Sequence, residues 1–69
     1  MNVTVVPLPV PAGLKFDLIL PDGYIVTIEM DDYQIRAYRG SIMDVLRAKI
    51  LDWLEQHDYG TENLTITIA

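Results

Sequence analysis

The sequence predicts an α+β fold: an antiparallel β-meander with one helix packed on one face and a further strand after it. Three observations predict this. Apolar residues alternate at period two in "LKFDLIL" and again in "YIVTIEM". Between these runs stands "PDG", a reversal signal. From Ser41 onward the period becomes helical, with a capping signature at its head.

Taken in order, residues 1–13 form an extended N-terminal strand, "NVTVV", and a stiff proline-bearing arm, "PLPVPAG". In the next run Leu14, Phe16, Leu18 and Leu20 point one way, and Lys15, Asp17 and Ile19 the other. In its partner Tyr24, Val26, Ile28 and Met30 oppose Ile25, Thr27 and Glu29. Side-chain parity decides the turn between them. A two-residue Asp22-Gly23 loop would place Phe16 opposite Glu29 and scramble the faces. A three-residue loop, Pro21 to Gly23, pairs Leu20 with Tyr24, Leu18 with Val26, Phe16 with Ile28 and Leu14 with Met30. Proline suits the first turn position and glycine the left-handed one. Lys15 then faces Glu29 on the reverse side.

"MDDYQIRAY" passes the same test with a two-residue Asp31-Asp32 loop, which pairs Met30 with Tyr33, Ile28 with Ile35 and Val26 with Ala37. A third meander strand is therefore expected, with Gln34, Arg36 and Tyr38 on its reverse face. Ser41 to about Gln56 reads as a helix. "SIMD" is a capping-box pattern with Asp44 at the third helical position. Ile42, Met43, Leu46, Ile50, Trp53 and Leu54 fall in one arc of about 120°, and Val45 and Leu51 flank it. Gly60 is placed to stop the helix, and "NLTITIA" supplies a last alternating strand. The expected topology is (β)-β-β-β-α-β in a single small domain, residues 1–69.

Composition bounds the function. With 69 residues, about 60% of the unfolded chain's surface can be buried, and the net stability expected of one core is ~3–5 kcal/mol. There is no cysteine, hence no disulfide or thiolate metal site to add to it. Local geometry, or association with another chain, has to make up the margin. The net charge of −5 repels phosphate backbones and disfavours nucleic-acid and anionic-membrane partners. No run approaches a membrane span, and the N-terminus has no basic region before its apolar residues. A cytoplasmic protein is expected.

Chemistry is sparse. Ser41 is the only serine and His57 the only histidine. At opposite ends of one helix they would stand ~24 Å apart, which excludes a Ser–His dyad within one chain. Ser41 reads as a cap, and His57 as a complement to the negative helix end. Asp31 and Asp32 read as a solvated turn tip, and the four glycines are scattered singly, so no phosphate-cradling loop exists. The expectation is a non-enzyme without cofactor or metal.

One helix covers one face of the sheet. The other face is expected to carry Ile19, Ile25 and Tyr38 side by side, with Lys15, Glu29, Gln34 and Arg36 beyond them. Two isoleucines and a tyrosine beside charges make a contact site. Ile19, Ile25, Tyr38 and Arg36 are the candidate partner-binding residues, unless the N-terminal strand or proline arm folds across them. The function this implies is a small acidic protein-binding module: a regulator, adaptor or inhibitor of a size and charge suited to a phage or mobile element. Its partner is another protein or a second copy of itself, as a homodimer. The alternative is a dimeric, antitoxin-like nucleic-acid-binding regulator using Arg36, Arg39 and Arg47.

Two resemblances accompany this reading. The order meander–helix–strand, with "DGYIVTIE" entering and "GSIMDVL" opening the helix, resembles HicB-type antitoxins, without their proline- and glycine-rich turn before the third strand. "LILPDGYIVTI" followed by "GSIMDVLRAKI" is similar to ubiquitin-like β-grasp domains, without the C-terminal double glycine of the sulfur carriers, since the chain ends "TITIA".

Overall fold

A computed structural model describes residues 1–38 and 40–69 of the chain. The elements run β1 (Asn2–Leu8), β2 (Leu14–Ile19), β3 (Ile25–Met30), α1 (Asp32–Ala37), α2 (Ile42–Gln56) and β4 (Thr65–Ile68). The four strands form one sheet in the order β3-β2-β1-β4. β1 is antiparallel to β2, β2 to β3, and β4 is parallel to β1. The class is α+β, but the sheet is mixed rather than a plain meander.

The β2–β3 hairpin has the register that parity requires. Leu14 pairs with Met30, Lys15 with Glu29, Phe16 with Ile28, and Leu18 with Val26. The loop closes as expected for three residues: Gly23 donates its N–H to the Leu20 carbonyl and Leu20 donates to the Tyr24 carbonyl, both at 2.9 Å. Gly23 takes φ +88°, a left-handed position that glycine adopts at no steric cost.

β1 is no loose arm. It lies in the middle of the sheet, with Thr4 beside Ile19 and Pro7 beside Phe16. A proline in a central strand lacks one ladder donor, and here nothing asks for it. The ladder to β4 extends only from Asn2 to Val5, so the side of Pro7 that would need an N–H faces no strand.

The third meander strand expected over Tyr33 to Tyr38 is absent; those residues form α1 and its C-cap. The reason is a second capping box. Asp31 Oδ1 accepts from the Gln34 N–H at 2.7 Å, and Gln34 Oε1 accepts from the Asp31 N–H at 3.1 Å. Asp32 accepts from the Gly13 N–H at 3.0 Å, so α1 is tied to the β1–β2 loop. Asp31 and Asp32 are thus cap and tie, not a turn tip. Ser41 caps α2 as expected, with Asp44 closing the reciprocal bond. Helix α2 ends at Gln56 as expected, but the stop differs: His57 is its C-cap, and Asp58 rather than Gly60 carries positive φ just beyond it. Ser41→Ala and Asp31→Ala should each cost about 1 kcal/mol. For Asp31→Ala the loss should appear as reduced helicity by circular dichroism with little change in the β signal, since α1 buries no residue.

The core lies between α2 and one face of the sheet. Val3 and Val5 from β1, Phe16, Leu18 and Leu20 from β2 and its end, and Ile28 from β3 pack against Leu46, Ile50 and Leu54. Three expectations for inward side chains fail at the margins. Tyr24 is 60% exposed because β3 is an edge strand with nothing outside it. Ile42 and Met43 are about half exposed. Ile42 shares a helix face with the buried Val45 and Leu46, so its exposure marks the end of the sheet beneath the helix, not the wrong side of it. Val45, expected on the flank, is buried.

Candidate functional site

Parity carries from the core to the far face. Because Val3 and Val5, Phe16 and Leu18, and Ile28 and Met30 are buried, the residues between them project from the opposite side. Three rows result across β3, β2 and β1. Ile25, Ile19 and Thr4 form the first; Thr27, Asp17 and Val6 the second; Glu29, Lys15 and Leu8 the third. None of these nine side chains is buried: those of β3 are exposed, and those of β2 and β1 are half-buried between their neighbours.

Ile19 and Ile25 are therefore where the sequence places them, directly opposite one another. Tyr38 and Arg36 are not. Both left the sheet when their segment became helical; Arg36 stands in the last turn of α1, and Tyr38 is its C-cap, 44% exposed. The place beside Ile25 that sequence reasoning assigned to Tyr38 is the open outer edge of β3; the other aliphatic residues of this face, Val6 and Leu8, lie beyond β2, on β1. The signal was present: in "NVTVVPL" the alternation that sends Val3 and Val5 inward sends Thr4, Val6 and Leu8 outward. The N-terminal strand does not fold across the face, since it is part of the sheet.

The aliphatic residues of the face, Ile25, Ile19, Val6 and Leu8, form a bent band around Asp17, with polar groups bordering it. Thr27 donates its hydroxyl to Asp17 Oδ1 at 2.6 Å, which satisfies a carboxylate oxygen and holds the threonine against β2. Lys15 stands opposite Glu29. Thr27 and Asp17 answer one another, and no described element covers the aliphatic residues.

Elsewhere the reactive residue types are engaged structurally. The His57 ring stacks on Trp53, with centroids 4.0 Å apart, and its Nδ1 donates to the Trp53 carbonyl oxygen at 2.9 Å. Trp53 in turn meets Tyr59 at 5.8 Å, and both pack against the core. Desolvation, with the Asp22 carboxylate second, raises the Tyr59 phenol above its usual range. The cluster closes the C-terminal end of α2. Among the described residues no group of three His, Asp or Glu could hold a metal ion, and no helix is long and apolar enough to cross a membrane. Of the three arginines considered for nucleic-acid contact, Arg36 and Arg47 are exposed on α1 and α2, and Arg39 lies outside the described residues.

The chain matches no protein-family model, no curated protein and no solved structure, so the resemblances of its hairpin and cap segments stand on those segments alone.

Proposed function

We propose that this chain is a small acidic protein-binding module, a regulator, adaptor or inhibitor, whose working surface is the uncovered face of its sheet. The observation that carries the reading is the pairing of Ile19 with Ile25 beside Val6 and Leu8 on a face that no described element covers. A solvated sheet face alternates toward polar residues; an aliphatic band bordered by polar groups is the pattern of an interface centre with a polar rim. Anchors of this kind carry most of the energy of such contacts. Ile25, more than half exposed, and Ile19 are the anchors. A cytoplasmic setting fits the absence of cysteine.

The competing reading as a nucleic-acid-binding regulator draws on Arg36 and Arg47, both exposed. It has to overcome the field of a chain whose net charge is −5.

The test is differential capture. Wild type, an Ile19→Ser/Ile25→Ser double variant, and a Tyr33→Ser variant altered on the outer side of α1 are immobilised and exposed to native lysate. A partner held by wild type and Tyr33→Ser but lost by the double variant supports the reading. Identical partner sets for all three would sink it.

A further inference from the structure

The outer edge of β3 carries a pairing site distinct from the sheet face. We infer that β3 pairs antiparallel with β3 of a second copy of this chain, about a two-fold axis at Thr27. This does not rest on the open-face reading, and its test is separate.

The hairpin bonds show which backbone groups are free. Leu20 donates to Tyr24, so the hydrogen-bonded pairs of this ladder recur every second residue: Leu18 with Val26, Phe16 with Ile28, Leu14 with Met30. The N–H and C=O groups of Ile25, Thr27 and Glu29 therefore point away from β2. Since β3 ends the sheet, no strand among the described residues receives them. Edges are ordinarily blunted by charged side chains, lysine above all, by proline or by a bulge, and β3 carries one charge, Glu29. It has neither lysine nor proline between Ile25 and Met30, and its six-pair register with β2 is unbroken.

The edge fits itself. Outward groups meet outward groups only when paired residue numbers sum to an even number. With the axis at Thr27, Ile25 meets Glu29 of the second copy, Thr27 meets Thr27, and Glu29 meets Ile25. All three free residues are then engaged, each pair exchanging two bonds. Centring on Val26 or Ile28 instead leaves one of the three without a strand partner. Charge selects the same register. Glu29 is the only charged residue of β3, and here the two glutamates lie four residues apart along the ladder, about 14 Å, beyond a Debye length of about 8 Å. Centring on Ile28 halves that separation. The side chains agree on both faces. On the core side Val26 meets Ile28 and the exposed Tyr24 meets Met30. On the other, the bond from Thr27 to Asp17 draws each threonine toward its own β2 and leaves room at the axis. Such an axis, perpendicular to the sheet, joins the two uncovered faces into one.

A chain without cysteine allows a clean test. Under mild oxidation Thr27→Cys should give a disulfide-linked dimer, because hydrogen-bonded partners have Cα atoms about 5.5 Å apart, within disulfide reach. Ile25→Cys and Glu29→Cys should form no disulfide-linked dimer alone and should cross-link when mixed. Wild type examined by light scattering at rising concentration should approach twice the monomer mass, sooner at high salt because two chains of charge −5 repel. Thr27→Pro, which removes an outward N–H without touching the β2 ladder, should remain monomeric. Equal cross-linking by all three single cysteines, no cross-link from folded Thr27→Cys, or a wild type that is monomeric at every concentration would overturn the proposal.

Discussion

Gly13→Ala should leave little folded protein. Two independent penalties fall on this position. Its φ of +79° lies in the left-handed region, where an L side chain costs about 1–2 kcal/mol. A Cβ there would also be driven into the Met30 carbonyl oxygen and against the Asp31 Cα. Both obstacles are backbone at the junction of β3 and α1 and cannot swing aside. Overpacking of that sort costs ~1–3 kcal/mol. The sum rivals the ~3–5 kcal/mol expected of a core this size. Gly23 provides the control. Its φ is +88° but nothing lies within 4 Å of an added Cβ, so Gly23→Ala should show only the conformational cost. Asparagine, which tolerates left-handed backbone, should be almost neutral at 23 and still damaging at 13. Urea unfolding of the four variants measures this. Equal midpoints for the two alanine variants would show that the loop does not pack on the β3–α1 junction.

Phe16→Ala should cost ~3–5 kcal/mol, enough to unfold most of the chain at room temperature. Phe16 is 1% exposed and lies in the middle of the sheet between Pro7 of β1 and Ile28 of β3. It packs into the cluster completed by Leu46, Ile50 and Leu54. With no polar group buried in that core and no disulfide to constrain the unfolded chain, the loss is not offset elsewhere. Ile25→Ala, on the far face of the same sheet, should change stability by no more than about 0.5 kcal/mol. Thermal melts of the two variants separate a side chain that holds the fold from one that is free to meet a partner.

The parts of this protein legible in its sequence are the local ones. The β2–β3 register follows from two alternating runs and a turn whose length only one parity allows. The start of α2 follows from Ser41 and Asp44, two residues three apart that bond to one another. Ile19 and Ile25 were placed together for the same reason: they are reached across one tight turn.

The third strand failed because parity is a necessary condition and not a sufficient one. "DDYQIRAY" satisfies period two, yet Asp31 and Gln34 repeat the reciprocal cap of Ser41 and Asp44, and that bond pair competes directly with strand pairing. With that segment went Tyr38 and Arg36. What period two cannot state is which strands are neighbours. It assigns each side chain to one of two sides, but the seat of β1 beside β2, and of β4 beside β1, depends on pairings between distant residues whose benefit appears only when α2 closes the core. The chain by itself thus determined which residues share a side; the assembled sheet decided which edge stayed open, because burial is settled between elements and not within them.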